Sequence, residues 1–427
     1  RRSPVVRTGL RAIASSTFAE PPLPSPEDRG LDRTGAVSDE ADPFSSRKLQ
    51  GKGGAFRGRD VVPMWIADMD FRSAPPVVDA VVACAARGLY GYTNPPKELT
   101  RLTVARLGST YGCPEAREDW IMWLSGLVPG LHHAVRATHA GSVAVLTPAY
   151  PPFLSAPPHN GAELLTIPLL AEQVADGVGE VRFDIDWAGL TDALARPSTR
   201  LLLLCNPHNP SGRVFSQADL ERIASLCVEH NCTLCSDEVW GEMPLEPEEK
   251  PFTSALALLH ISGLRERLIV MTSPSKCFNV ATLNLALAII PDASLRDRFR
   301  TAGADMAEVT PFGYFGAQAA YGDPESEAWR QRMLKYVTAN REFACHVLGG
   351  VHGLRYTRPE SSYLLWVDAS QLMPEGANAA ELLLASGVGV NDGATFGGDP
   401  RCFRINYACQ RITLERGLER IVAALGG

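Results

Sequence analysis

Four short apolar runs along the chain each end in a turn that carries polar residues. The runs are residues 143–146, 201–205, 232–235 and 268–271. Their length and their leucine or β-branched content predict buried strands, and the proline, glycine and serine residues that follow predict turns. In open α/β sheets, ligands bind beyond the carboxyl ends of the strands. The polar residues after these runs are therefore candidates for a binding site.

The remaining pattern predicts helices alternating with short strands, which is typical of the α/β class. Helices are predicted for 75–88, 327–348 and 379–386, and strands for 363–368 and 402–407, with a short strand from Val61. We expect four parts: a tail and linker at 1–43, a small-domain segment at 44–89, a large domain at 90–317 and a C-terminal small domain at 318–427.

The composition excludes several classes of protein. The chain has 427 residues, of which 45% are hydrophobic and 21% charged, as in ordinary enzymes. Its formal net charge of -7 argues against a nucleic-acid partner, which requires a basic surface. Apolar runs such as 285–290 fall far short of the roughly 20 residues that cross a bilayer, so we expect no membrane partner.

The ten cysteines are scattered rather than spaced as a disulfide framework. We expect them to be reduced, which favours an intracellular location. Cys232 and Cys235 have metal-ligand spacing, but no second pair or histidine cluster accompanies them, so we predict no metal site. Residues 1–18 carry four arginines and no acidic residue, as organellar transit peptides do, and an unstructured extension of a cytosolic enzyme is the alternative.

The polar residues after the four runs suit one cofactor. Lys276 is an amine that can form a Schiff base, and Tyr150 is a ring that can stack on another. Asn209 can donate to a phenolate oxygen, and Asp237 can hold a protonated ring nitrogen. Together they describe a site for pyridoxal 5'-phosphate.

Seven motifs, some of which contain these residues, support this interpretation. They are Pro63-Met-Trp-Ile-Ala-Asp-Met-Asp-Phe71, Tyr90-Gly-Tyr-Thr93, Thr147-Pro-Ala-Tyr-Pro-Pro-Phe153, Asn206-Pro-His-Asn-Pro-Ser-Gly212, Ser236-Asp-Glu238, Ser273-Pro-Ser-Lys276 and Phe403-Arg-Ile-Asn-Tyr-Ala408. With these motifs the chain resembles the fold-type I pyridoxal-phosphate enzymes, specifically the cystathionine β-lyase-like carbon–sulfur lyases of the MalY/PatB group. The resemblance implies an aminotransferase-like α/β fold: a mostly parallel seven-stranded sheet flanked by helices, plus a smaller α+β domain.

The same resemblance implies roles for individual residues. Arg404 binds the α-carboxylate of an amino-acid substrate, for which a planar guanidinium is suited. The loop with Trp65 and Ala67 lines the substrate pocket. Tyr92 reaches the cofactor phosphate of a neighbouring subunit and makes a homodimer obligatory. The phosphate is further held by Ser273, Ser275 and a cradle at Gly126, Leu127 and Val128, ahead of a helix expected to start near Leu131.

Three positions depart from the pattern of the family. Trp240 stands where relatives often have tyrosine or histidine, and an indole donates but never accepts a hydrogen bond. Asn284 and Leu285 stand where many aminotransferases carry a phosphate-binding arginine.

The expected reaction is elimination of a thiol from a β-thio amino acid such as L-cystathionine. The alternatives are an aminotransferase and a non-catalytic binding protein that keeps the fold.

Overall fold

The computed structural model describes residues 47–174 and 177–426. The predicted tail at 1–43, with its possible transit peptide, lies outside the described residues. Helices span Arg47–Gln50, Pro75–Ala86, Lys97–Ser109, Leu127–Thr138, Pro151–His159, Trp187–Ala195, Gln217–Glu229, Ala293–Ala302, Pro311–Gly322, Pro324–Gly349, Ala379–Ala385 and Arg411–Leu425. Strands are β1 Val62–Pro63, β2 Ile121–Leu124, β3 Ser142–Thr147, β4 Glu163–Pro168, β5 Leu170–Gln173, β6 Val181–Asp184, β7 Thr199–Cys205, β8 Thr233–Asp237, β9 Leu268–Thr272, β10 Ala286–Ile289, β11 Arg355–Tyr356, β12 Leu364–Asp368, β13 Val388–Gly389, β14 Asn391–Asp392 and β15 Cys402–Asn406.

A seven-stranded sheet forms the centre of the molecule, with the strand order β2-β10-β9-β8-β7-β3-β4. Neighbouring strands from β9 to β4 are parallel, and β10 runs antiparallel to both β9 and β2. The carboxyl ends of all the strands except β10 therefore meet at one edge. The four strands predicted from apolar runs, β3, β7, β8 and β9, lie side by side in this sheet.

Both faces of the sheet are covered, which explains why its strands appear as continuous apolar runs. In β3, for example, Val143 and Val145 pack into one buried cluster, whereas Ala144 and Leu146 pack into the cluster on the opposite face. Helix Leu127–Thr138 contributes Leu131 to the first cluster. Helices cover the sheet on each side, as the α/β prediction requires.

A second, four-stranded antiparallel sheet has the order β11-β12-β15-β14. Helices Pro324–Gly349 and Arg411–Leu425 pack against each other in the same part of the chain. The N-terminal segment joins this part through β1, which pairs in parallel with β13. The expected α/β fold with a smaller α+β unit is confirmed, whereas the exact domain boundaries remain a prediction; Gln318 itself lies inside helix Pro311–Gly322.

Most predicted elements differ from the structure by one to three residues, but one helix start is wrong by four. The helix expected from Leu131 begins at Leu127, so Val128 belongs to its first turn rather than to a loop. Proline within the first turn of a helix is tolerated because the N–H groups there have no partner inside the helix. Pro129 therefore marks the start of this helix rather than a loop before it.

Several expectations about the whole chain can be compared with the structure. All ten cysteines are buried and free, as expected for reduced thiols. Among residues 47–174 and 177–426, no helix has both the length and the apolar character that a membrane span requires. Within the same ranges, three or more His, Cys, Asp or Glu side chains nowhere come together in a group that could hold a metal ion.

Candidate active site

Three of the predicted cofactor residues lie at the carboxyl edge of neighbouring strands. Asp237 is the last residue of β8, and it is in register with Cys205 of β7 on one side and with Met271 of β9 on the other. Asn209 follows the end of β7, and Lys276 follows the end of β9. Parallel strands thus bring together side chains that are up to 67 positions apart in the sequence.

The Lys276 amine is held inside the molecule rather than projecting into solvent. Its Nζ donates to the carbonyl oxygen of Ala67 at 2.8 Å and lies 5.7 Å from the ring centre of Trp240. Burial and the nearby Arg404 cation lower the pKa of Lys276 to about 8. A substantial fraction of this amine is therefore neutral, and so nucleophilic, close to neutral pH.

Asp237 supplies a buried carboxyl group on the same edge. Burial raises its pKa to about 6, against the opposing effects of the Val239 backbone N–H and the Lys276 cation. The Val239 N–H donates to Asp237 Oδ1 over 3.1 Å. At neutral pH the group is mainly a carboxylate, and its second oxygen suits a protonated ring nitrogen.

Arg404 lies in β15 and reaches across from the second sheet. The residue is only 3% exposed, and burial lowers its pKa to about 10, so the guanidinium stays charged. Its Nη1 donates to Asn209 Oδ1 at 2.9 Å and its Nη2 to the Trp65 carbonyl at 3.0 Å. Its Nε is buried and has no hydrogen-bond partner in the part of the chain that the structure describes. A buried cation with neutral partners and a spare N–H is suited to an anion from outside the chain.

The contact with Arg404 also orients Asn209. Because Asn209 Oδ1 accepts from a guanidinium that can only donate, its Nδ2 is left to act as a donor, as predicted for a ring oxygen. Tyr150 precedes helix Pro151–His159 and is 36% exposed, so its ring forms part of the accessible surface of the site. Burial raises the pKa of Tyr150, and the Arg404 cation opposes this effect.

The loop at 65–71 is pinned by asparagines from distant elements. Asn406 Nδ2 donates to the carbonyls of Ile66 and Asp68, at 2.6 Å in each case. Asn391 Nδ2 donates to the Trp65 carbonyl at 2.5 Å. These bonds hold the Trp65 carbonyl, which accepts from Arg404, and the carbonyls on either side of Ala67, whose own carbonyl accepts from Lys276. Asn406 was part of a recognised motif, but no sequence signal identified Asn391.

Lys48 is a buried charge that sequence reasoning missed. The side chain is 1% exposed, and its Nζ lies 2.9 Å from Asp70 Oδ1 and 3.3 Å from Asp68 Oδ1. Burial alone would lower the pKa of Lys48, but these two carboxylates outweigh it and raise the pKa above its usual value. Its carbonyl also accepts from Trp65 Nε1 at 3.0 Å. The spacing of more than 20 residues gives no local pattern from which the pair could be found.

The predicted phosphate cradle is the N-terminus of helix Leu127–Thr138. Gly126 has φ +153°, which favours glycine, and no described side chain caps the first turn. The exposed N–H groups of Leu127 and Val128 are therefore available to an anion. The Ser273 hydroxyl donates to the Leu285 carbonyl at 2.6 Å and accepts from the Ser275 N–H at 3.0 Å, and its contact with the phosphate stays a prediction.

The two remaining predicted residues lie in contrasting environments. Trp240 is 2% exposed and packs edge-on against Tyr363, with the ring centres 4.8 Å apart. Tyr363 in turn donates to the Ala67 carbonyl at 3.1 Å, so Trp240 packs beside the Lys276 contact. Tyr92 is 98% exposed and does not reach Lys276 within the same chain.

Comparisons with known proteins agree with this geometry. The family model for aminotransferase class I and II matches residues 60–421. Cystathionine beta-lyase PatB of Bacillus subtilis (strain 168) is 32% identical over 388 residues, covering 89% of this chain and 96% of the relative. Protein MalY of Escherichia coli (strain K12) is 28% identical over 383 residues, covering 87% of this chain and 93% of the relative.

Solved structures give the same result. The crystal structure of OvoB superposes with a TM-score of 0.81 at 35% identity, covering 89% of this chain and 96% of that one. The PLP-bound C-S lyase from Staphylococcus hominis superposes with a TM-score of 0.80 at 26% identity, covering 91% and 97%. On this evidence the chain belongs to the aminotransferase class I and II family, among the relatives of the cystathionine beta-lyases.

Proposed function

We propose that this protein is a pyridoxal 5'-phosphate-dependent carbon–sulfur β-lyase. Its substrate would be L-cystathionine or a related β-thio amino acid, and its products a thiol, pyruvate and ammonia. The observation that carries the proposal is the arrangement around Lys276. An amine of lowered pKa, a buried carboxyl and a buried guanidinium with a spare N–H converge on one edge of the sheet.

The residues at this edge fit the cofactor. Lys276 would attach it covalently, Asp237 would hold the ring nitrogen and Asn209 Nδ2 would donate to the ring oxygen. The free N–H groups of Leu127 and Val128 and the half-buried Ser275 would hold the phosphate. When bound, pyridoxal phosphate supplies an aldehyde that binds amines and a ring that accepts the electron pair released at Cα.

Arg404 would bind and orient the amino-acid substrate. Because its guanidinium is fixed by Asn209 and the Trp65 carbonyl, it presents its remaining donors in one direction. A substrate carboxylate bound there would place the amino group and Cα toward Lys276. The buried position of Arg404 excludes water from the contact and strengthens it.

Lys276 would then act as the proton carrier. Once displaced by the substrate amine, its Nζ would be a free base, and the site lowers its pKa to about 8 before the cofactor binds, which suits removal of the Cα proton near neutral pH. Loss of the β-thiolate follows, and the remaining three-carbon unit gives ammonia and pyruvate on hydrolysis. The Ala67 carbonyl, which accepts from Nζ in this structure, keeps the amine near the same position.

Transamination is the alternative reaction, since it needs the same residues. The relatives favour elimination: the cystathionine beta-lyases of Bacillus subtilis and Corynebacterium glutamicum are 32% and 29% identical, whereas an aspartate/prephenate aminotransferase of Thermus thermophilus is 25% identical. A leaving group on Cβ also gives the electron pair an exit within one molecule, whereas transfer requires a second substrate.

The test is to incubate the holoenzyme with L-cystathionine in the absence of any 2-oxo acid and to measure pyruvate and free thiol. We expect both in equal amounts. Amino transfer from several amino acids to 2-oxoglutarate is measured in parallel. Strong transfer with negligible pyruvate would replace the lyase with an aminotransferase, and no reaction with either would favour a binding protein.

We also propose that the enzyme is a homodimer that shares its active sites. Tyr92 is 98% exposed. In the same segment Leu89 is 75% exposed and Tyr90 is 62% exposed, and Val82 of the preceding helix is 60% exposed. Large apolar side chains this exposed and this close in sequence are typical of an interface. A second subunit would cover them and would receive Tyr92 near its cofactor phosphate.

A further inference from the structure

The short helix Arg47–Gln50 is anchored at the active site by its second residue. Lys48 points inward to Asp70 and Asp68, and its carbonyl accepts from the Trp65 indole. The same tryptophan uses its own carbonyl to hold Arg404. The helix therefore has a fixed position relative to the residue that would bind the α-carboxylate.

Lys48 points inward, whereas its neighbour Arg47 is exposed and lies close enough to the site for its charge to act on Tyr150. Arg47 is exposed, and its guanidinium carbon lies 5.9 Å from the centre of the Trp65 ring. It makes no ion pair with any residue in the described ranges, so its charge is available. Phe56 packs edge-on against the same indole, with ring centres 6.4 Å apart, and keeps the ring in place.

Tyr150 lies close enough to Arg404 and Arg47 for the positive charges of both to act on its hydroxyl. Burial raises the pKa of its hydroxyl, and the Arg404 and Arg47 cations both lower it. Trp65 lies between two cations. Its carbonyl accepts from the buried Arg404, and its ring lies beside the exposed Arg47. A substrate bound to Arg404 through its α-carboxylate would still have its sulfur substituent to place, and Arg47, at the ring of Trp65, is a cation that makes no ion pair in the described ranges.

We propose that Arg47 determines specificity by binding an anionic group at the far end of the substrate. The preferred substrates would then be β-thio amino acids whose sulfur substituent ends in a carboxylate. This inference rests on the proposed lyase function and adds to it the charge of the leaving thiol. A guanidinium over an aromatic face keeps its edge N–H groups free for a carboxylate, so the Trp65 contact and the anion do not compete.

The kinetic test compares two substrates of matched length, S-(2-carboxyethyl)-L-cysteine and S-propyl-L-cysteine. We expect the wild-type holoenzyme to have the higher kcat/KM for the anionic substrate. Arg47→Met should lower that value about tenfold, mainly through KM, and should leave the neutral substrate unchanged. Arg47→Lys should keep part of the preference. Lys52→Met, which removes an exposed cation from the neighbouring segment, should behave as wild type.

A binding measurement does not depend on turnover. L-2-aminopimelate and L-2-aminoheptanoate match the two substrates with a methylene in place of sulfur, so they cannot lose a thiol. By calorimetry, Arg47→Met should weaken binding of the first about tenfold and leave the second unchanged. Equal losses for both ligands, or no loss for the anionic one, would overturn the role of Arg47. Absence of lyase activity on both thioethers would instead overturn the proposed function.

Discussion

The amine of Lys276 illustrates how one side chain acquires a reactivity that its residue type does not have in water. An exposed lysine is almost fully protonated at neutral pH. Here burial removes water from the ammonium and Arg404 repels it, whereas Asp68 and Asp237 favour it more weakly. The balance lowers the pKa to about 8, so the site itself activates the nucleophile.

This balance predicts the pH dependence of cofactor attachment. Only the neutral amine attacks an aldehyde, and raising the pH removes the proton from Lys276. The rate at which the apoprotein combines with pyridoxal phosphate should therefore rise with pH and level off above about 8. The rate can be followed by the growth of the visible absorbance band. A rate that continues to rise beyond pH 10, as for an ordinary lysine, would contradict the prediction.

A second prediction for a single side chain concerns the replacement of Arg404. Arg404→Ala should lower kcat/KM for L-cystathionine roughly 100-fold, because a shielded, charge-assisted pair with the substrate is lost, while Lys276 can still attach the cofactor. Steady-state kinetics measures the loss. The control is borohydride reduction followed by mass spectrometry, which should still find the cofactor attached to Lys276. Kinetics equal to those of wild type would mean that another residue binds the carboxylate.

The sequence revealed the site residues in two ways: Arg404, inside β15, through a motif, and three others through their position after an apolar run. Lys276, Asp237 and Asn209 each stand just beyond an apolar run, so a local pattern placed them at one edge. Lys48 and Arg47 could not be found in this way. Their importance depends on contacts with the loop at 65–71, which the folded chain alone creates.

At the scale of elements, the loop at 65–71 is the part that connects the N-terminal segment to both sheets. Asn406 of β15 and Asn279, near Lys276, bind its backbone from opposite directions. Lys48 adds an ion pair with Asp70, which is 6% exposed. The loop has no regular hydrogen-bonding pattern of its own, so these side chains determine its conformation.

This arrangement predicts the effect of removing the Lys48 charge. Lys48→Met should destabilise the protein by about 3 kcal/mol, because the buried Asp70 carboxylate would lose its ion pair with Lys48. The urea concentration at the unfolding midpoint should fall accordingly. Lys48→Met/Asp70→Asn should recover part of the loss, and Lys52→Met serves as the exposed control. A single variant as stable as wild type would show that the buried pair contributes little.

The observed boundaries of strands and helices show which of them the sequence pattern predicts and which it misses. The apolar runs identified β3, β7, β8 and β9, since strands buried on both faces are apolar throughout. The start at Leu127 was missed because Pro129 and Gly130 suggested a loop. In the structure Gly130 faces Leu124 of β2 and Met271 of β9 so closely that an added Cβ would lie within 3 Å of each side chain. The absence of a side chain at position 130 allows the helix to pack closely against the sheet, and a local sequence pattern does not reveal this requirement.

At the scale of the whole molecule, Tyr92 differs in its environment from the four central residues of the site. Lys276, Asp237, Asn209 and Arg404 converge within the chain, whereas Tyr92 is almost fully exposed. If a second copy receives Tyr92, each active site consists of residues from two chains. Two subunits related by a two-fold axis would then exchange this residue reciprocally.

Shared sites predict that two inactive variants can restore each other. Lys276→Ala should abolish activity, and Tyr92→Ala should reduce it strongly by weakening the hold on the cofactor phosphate. In a mixed dimer, one site would combine an intact Lys276 from one chain with an intact Tyr92 from the other. Random exchange of subunits makes about half of the dimers mixed, each with one intact site of two, so about one quarter of wild-type activity should return.

The measurement is pyruvate release from L-cystathionine after the variants are mixed under conditions of subunit exchange, with each variant alone as its control. Activity that never exceeds the average of the two separate variants would show that Tyr92 acts within its own chain or not at all.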